Sequence, residues 1–411
     1  MKTRKKAHKF RMNRALAGGL LVAGLITNVH AGAIADLTGY DANETSLFKK
    51  NGITVGGWAN AGITYNASNP ANGFNGPVTF GDRDSEVQLN QLNLFIQRAV
   101  ATEGTGWDFG GRFDVMFGTD SFYTQSYGAL AGHWDLNLLG NSTNRFYDLA
   151  LPQAYGEIYA PIGNGLNIKV GHFYTPIGYE TVPAPDNFFY SHAYTMQFGE
   201  PFTHTGVLLN YTVDANWAVT GGALTGSQFG GWDGGFDKQL GNWGGLLGAT
   251  WTSNSKATSL NLTGTFSETS ETNSAAWAMY SAVFKHNITD KTHLVLQHDH
   301  GFANNTAVGD AQWYGINTHL TYDIKDNLTA GVRAEWFRDQ NGFRVGYPAR
   351  TFAVTNSGSS YYAVTAGVNY KPTVWLNLRP NIRYDVADGS RPFGNAKQDQ
   401  FLFSTDFSIT F

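Results

Sequence analysis

Three observations predict an all-β chain that closes into a transmembrane antiparallel β-barrel of about sixteen strands. From Gly52 onward, polar and apolar residues alternate in stretches of roughly 9 to 11 residues. Short and long connections between the stretches alternate strictly. After residue 31 there is no run of about 18 or more apolar residues, so helical spans are excluded. A closed barrel is the remaining way to cross a bilayer with every backbone N–H and C=O paired.

The N-terminus reads as an export signal. Lys2, Arg4, Lys5, Lys6, Lys9, Arg11 and Arg14 form a basic region, Ala15 to Ile26 an apolar core, and Val29-His30-Ala31 a small-residue cleavage site. Cleavage after Ala33 or Ala35 fits nearly as well, and the apolar run is too short to serve as a membrane anchor. Loss of residues 1–31 takes away seven basic side chains and no acidic ones, moving the formal charge from -4 to -11. An acidic mature chain argues against nucleic acid as a partner. Residues 32–50 are polar and lack strand pattern, which predicts a periplasmic N-terminal tail or a plug in the barrel mouth. Residues 51–411 are the barrel.

Composition agrees. Charged residues are 15% of the chain, against roughly 25% in ordinary soluble domains, while glycine (49 residues) and aromatics (14%) are high. There is no cysteine, which removes disulfides and thiolate chemistry and suits passage through an oxidising periplasm.

The strands are clearest at the end of the chain. Phe401, Phe403, Thr405, Phe407, Ile409 and Phe411 share one face, and Leu402, Ser404, Asp406, Ser408 and Thr410 the other. A terminal Phe on such a strand resembles the signal by which barrel-assembly machinery recognises its clients. Trp375 to Val386 repeats the logic, weakened locally at Pro380. Ala330, Val332, Ala334 and Trp336 alternate with Gly331, Arg333 and Glu335, and Tyr362 to Tyr370 behaves likewise. Near the front, Phe109, Phe113, Val115 and Phe117 alternate with Arg112 and Asp114.

Tight turns recur at Pro161–Gly165, Asp214–Asn216, Ser253–Lys256, Thr289–Lys291, Lys325–Asn327 and Lys371–Thr373. Longer connections fall near 66–86, 118–152, 174–203, 225–242, 267–274, 301–310, 338–359 and 386–398. This sorting predicts short periplasmic turns, long extracellular loops and both termini on the periplasmic side. A soluble sandwich also alternates, but its loops need not sort by length.

The third long connection is the most informative. It reads Gly171-His-Phe-Tyr-Thr-Pro-Ile-Gly-Tyr-Glu180, then Asp186-Asn-Phe-Phe-Tyr-Ser191, then Gly199-Glu-Pro-Phe-Thr-His-Thr-Gly206. This stretch resembles the β-barrel porin-2, OmpL-like family of bacterial outer-membrane proteins, with architectural similarity over roughly the mature length. The resemblance implies a pore-forming barrel of the outer membrane and names no solute. Read from its residues alone, Pro176, Pro183, Pro185 and Pro201 forbid a regular strand or helix, and Phe188, Phe189, Tyr190, Tyr194 and Phe198 require burial. The loop is therefore expected to fold inward and narrow the pore, with Glu180, Asp186 or Glu200 near the lumen. The competing reading packs it over the rim or at a subunit contact.

Charged side chains on the polar face of their strands form the second set of pore-lining candidates: Arg112, Lys169, Arg333, Arg379 and Arg383, with Asp114, Glu157, Glu335, Asp385 and Asp406 among them. Either they set the field and ion preference of the lumen, with Arg333, Arg379 and Arg383 as a basic stripe facing an acidic loop, or they pair with one another to satisfy a polar interior.

Trp58, Tyr65, Trp107, Trp217, Trp243, Trp251, Trp277, Trp313, Trp336, Tyr370 and Trp375 read as interfacial girdles rather than a stacking track for sugars. His293, His298 and His300 do not converge on one metal while their strand stays regular. Ser191-His192 and His204 lack a nucleophile elbow, so no enzyme is expected, and no cofactor is implied. The expected function is an outer-membrane porin through which small hydrophilic solutes or ions diffuse passively, with a homotrimer expected by analogy. The alternatives are a substrate-specific channel for a sugar or anion, and a plugged barrel acting as adhesin or receptor.

Overall fold

The computed structural model describes residues 32–102, 104–126, 134–135, 138–139, 146–225, 243–268, 276–306, 308–345 and 357–411. Residues 1–31, where the export signal is expected, and parts of the long connections, including 226–242, 269–275 and 346–356, lie outside the described residues.

The strands are β1 (Ile53–Asn66), β2 (Val87–Arg98), β3 (Asp108–Gly118), β4 (Asp148–Ala160), β5 (Leu166–Tyr174) and β6 (Thr203–Thr212). Next come β7 (Trp217–Thr225), β8 (Trp243–Thr252), β9 (Thr258–Glu268), β10 (Ala276–Asn287), β11 (Thr292–Thr306) and β12 (Gly309–Lys325). The last are β13 (Leu328–Asp339), β14 (Ser359–Thr373), β15 (Leu376–Leu378), β16 (Asn381–Ala387) and β17 (Asp399–Thr410). Each pairs antiparallel with its neighbours, and β1 pairs with both β2 and β17, so the sheet closes on itself. β15 and β16 are two pieces of one stave, since both lie between β14 and β17. The break falls at Arg379-Pro380, where proline has no N–H to give the ladder. The barrel thus has sixteen staves.

Its two faces are inverted relative to a soluble sandwich. Phe401, Phe403 and Phe407 are 41%, 47% and 39% exposed on the outside of β17, while Ser404, Asp406 and Ser408 are buried. That is the arrangement a hydrocarbon solvent demands.

The tight turns stand where the sequence places them, with two small shifts: Lys325 still belongs to β12, and β14 continues through Thr373, so its turn follows at 374–375. One long connection needs correction. Residues 301–310 are not an open loop, because β11 runs to Thr306, β12 begins at Gly309, and Thr306 pairs with Gly309. The Asn, Asp and Gly residues read as loop formers are instead the polar end of a ribbon, closed tightly at Gly309 (φ +81°).

Connections fold inward and pack against the wall in two buried clusters. Trp58, Phe80, Met116, Tyr123, Val182, Met196 and Phe202 form one buried cluster, and Tyr194, Phe198, Trp277, Trp313 and Phe337 belong to another. Trp58, Trp277 and Trp313 are therefore not girdle residues. They face inward, Trp58 Nε1 donating to Gln91 (2.8 Å) and Trp313 Nε1 to the Gly199 carbonyl (3.2 Å). Aromatic content alone does not reveal which side of a stave a tryptophan takes when segments fold inside to receive it. Residues 32–51 carry two short helices, α1 (Ala33–Thr38) and α2 (Ser46–Asn51), in place of an extended tail. Ala33 is the buried residue of these helices.

Candidate pore constriction

Residues 175–202 leave the wall at Tyr174 and return at Thr203, positions paired across β5 and β6. The Thr175 N–H donates to the Phe202 carbonyl (3.0 Å), closing the neck. Between these ends the prolines prevent regular structure, and the chain makes a short turn at Ala184–Asp186 and a wide helical turn at Thr195–Gly199. Phe189, Tyr190, Tyr194 and Phe198 are buried inside the barrel. The burial their composition requires is supplied by the inner wall, not by the outer rim.

That wall is a grid of charge. Arg333 on β13 and Arg383 on β16 stand in one register row with Thr365 of β14 between them. Glu335 and Asp385 form the next inward row, with Ala363 between. Arg333 Nε reaches Glu335 at 3.1 Å and Arg383 Nη2 reaches Asp385 at 2.7 Å. A cross-link joins Arg383 Nη1 to Glu335 at 3.4 Å. Arg379, in the break between β15 and β16, pairs with Asp406. Within the wall, cations and carboxylates balance.

The donors left over point at the loop. Arg333 Nη1 donates to Glu180 Oε1 and to the Ser191 carbonyl, each at 2.7 Å. Arg383 Nη1 donates to the His192 carbonyl (2.7 Å), and Arg379 Nη1 to the carbonyls of Ala184 (2.6 Å) and Asn187 (2.8 Å). In return, Glu335 accepts from the Tyr194 N–H (2.6 Å) and Asp385 from the Tyr194 hydroxyl (3.0 Å). Arg333 also lies 5.3 Å from the Phe189 ring centre and Arg383 5.0 Å from that of Tyr194. Planar guanidinium groups suit this work, since one edge can hold a carboxylate while another serves a carbonyl.

Burial opposes the charge of Glu180, but Arg333, with His192 and His319 beside it, outweighs that cost and holds the carboxyl well below its usual range. Glu200 behaves oppositely. Burial and the adjacent Asp299 carboxylate push its pKa well up, while Gln297 donates to both groups. Gly178, at φ +87°, lies against the Glu200 carboxyl where a Cβ would overlap it.

The other candidates are spread along the wall. Arg112 grips Asp114 (Nε–Oδ1 2.5 Å) and lies 4.3 Å from the Phe95 ring centre. Glu157 and Lys169 face each other in register, with Lys169 Nζ 4.2 Å from the Tyr155 ring centre. Asp186 is exposed and is not part of the grid. Sequence reasoning brought neither His319 nor the Gln297–Asp299 pair to the loop, although the two-residue period already put Gln297 and Asp299 on one face. His293 faces Asp323 and Asn287, whereas His298 lies on the opposite side of β11 against the Gly315 carbonyl.

Solved structures share this architecture. The anion-selective porin from Comamonas acidovorans superposes with TM-score 0.58 at 10% identity, over 87% of this chain and 99% of that one. Pseudomonas putida OprB gives 0.56 at 14% identity, over 89% and 96%. A trimer form of Vibrio cholerae OmpT gives 0.52 at 11% identity, over 87% and 99%. No curated protein sequence matches this chain. An antiparallel barrel with a lipid-facing exterior, a polar wall and an inward loop, matched by the family model over residues 52–411, places the chain in the outer-membrane family described as "Putative beta-barrel porin-2, OmpL-like", to which it belongs.

Proposed function

We propose that this outer-membrane channel passes small hydrophilic solutes by passive diffusion and that the 175–202 loop is its constriction. The observation that carries this reading is the fastening of the loop across the lumen by Arg333, Arg379 and Arg383, which donate to four loop carbonyls and one loop carboxylate. A loop held by so many charged donors in a low-dielectric enclosure is fixed in position, as a size filter must be. Phe411, whose N–H and carbonyl pair with Gly57 at the seam, is read as the assembly signal. A homotrimer is proposed by likeness to the OmpT trimer form. The reading is of a channel and not an enzyme: Ser191 is engaged by Arg333 (3.3 Å), and His204 by Thr175 (2.8 Å).

A second reading, a plugged receptor, draws on the deep burial of Trp58, Trp277 and Trp313 beneath inserted segments. Planar-bilayer recordings separate the two. Parent protein should give discrete conductance steps, and deletion of 181–198 should enlarge them. Equal steps in both proteins refute the constriction, and silence of the parent alone supports the plug.

A further inference from the structure

The segment between the export signal and β1 is fastened at the short-turn end of the barrel. Gly32 packs so closely on the Phe411 backbone that a Cβ would overlap it. Asp36 accepts from Trp375 Nε1 at 2.9 Å. Asn43 uses its amide as a strand would: Nδ2 donates to the Val55 carbonyl (3.0 Å) and Oδ1 accepts from the Val55 N–H (2.8 Å). Val55 needs this, because the register of β1 with β17 starts only at Trp58. The amide thus satisfies a free strand edge next to the seam.

Asp36 and Asn43 face the rim, whereas four apolar side chains of the segment are exposed. Leu37 is 73% exposed, Leu47 64%, Tyr40 60% and Ile34 50%. Asp36 ties α1 to Trp375, and the preceding residue, Val374, is itself 58% exposed. On the same strand end, Tyr370 belongs to the outward apolar face of β14. The Asp36–Trp375 bond thus sets α1 beside the end of β14, whose outward face meets lipid.

We propose that residues 33–47 rest on the periplasmic leaflet, with Ile34 and Leu37 at the boundary between phospholipid headgroups and acyl chains. Lipid is favoured over a protein partner because the patch adjoins an existing lipid-facing surface, and because a short apolar helix face beside an interfacial Trp is the composition of a membrane-surface element.

The chain has no cysteine, so single spin labels can be placed cleanly. Leu37→Cys is compared in phosphatidylethanolamine–phosphatidylglycerol liposomes with Val364→Cys on the lipid face and Asn254→Cys in an exposed turn. Power saturation with oxygen and a nickel chelate should place the Leu37 label between the two references, on the lipid side of Asn254. Ile34→Cys and Leu47→Cys give independent readings if the first variant folds poorly. Nickel access at all three equal to that at Asn254 would overturn the proposal. So would spin–spin broadening that disappears on dilution with unlabelled protein, which would assign the face to a second copy.

Discussion

The Arg333 guanidinium of β13 meets the Glu180 carboxylate of the inserted loop at 2.7 Å, and both are buried. Arg333 also holds Glu335 and a loop carbonyl, so its loss leaves Glu180 without its guanidinium and weakens the hold on Glu335. Removing one partner of such a pair costs about 3–5 kcal/mol. Arg333→Ala should lower the thermal unfolding midpoint in detergent and produce noisy, enlarged conductance. A variant as stable and as quiet as the parent would remove Arg333 from its fastening role.

Acid should release the loop. Glu180 is held below its ordinary value of 4.5, so its ion pair contributes docking free energy in full above that pH and loses it as pH falls further. Conductance is expected to rise or flicker as pH is lowered below about 4.5, and Glu180→Gln should flatten that response.

Glu200 predicts the opposite sign. Its pKa is raised, so its contribution to docking is complete below 4.5 and diminishes as pH rises toward the raised value. Glu200→Gln keeps a neutral hydrogen-bonding side chain beside Asp299 and should cost less stability than Glu180→Gln, whose loss is on the order of 3 kcal/mol. Paired thermal melts check the contrast, and equal losses would contradict the opposite directions of the two shifts.

Arg379 and Arg383 test whether wall charge sets selectivity. Each is already matched by Asp406 or Asp385, so replacing both with Gln should raise conductance by freeing the loop. The reversal potential in a salt gradient should move far less than the conductance. A large shift toward cation preference would mean that the arginines act on permeating ions directly.

Much of this was legible in the residues. The alternation in β17 fixes which side chains meet lipid, because a period of two leaves no freedom once one face is assigned. Pro380 announces the break between β15 and β16, and the prolines and aromatics of 175–202 announce a segment that is neither strand nor exposed loop. The ribbon at 301–310 was misread because Asn, Asp and Gly favour turns and also tolerate a strand end in water. Trp58, Trp277 and Trp313 differ from the expected girdle because an aromatic on a stave satisfies either an interface or an inserted loop.

By itself, the sequence determined an exported, membrane-spanning barrel with sorted turns and loops, since period, length and composition are local properties that a bilayer constrains strongly. Only the tertiary structure decided what the polar wall holds. Arg333, Arg379 and Arg383 bind loop carbonyls, and a carbonyl has no side-chain letter to announce it. Whether a lumen arginine faces water, a carboxylate or a backbone depends on how far a distant segment folds inward, which closure of the whole cylinder settles.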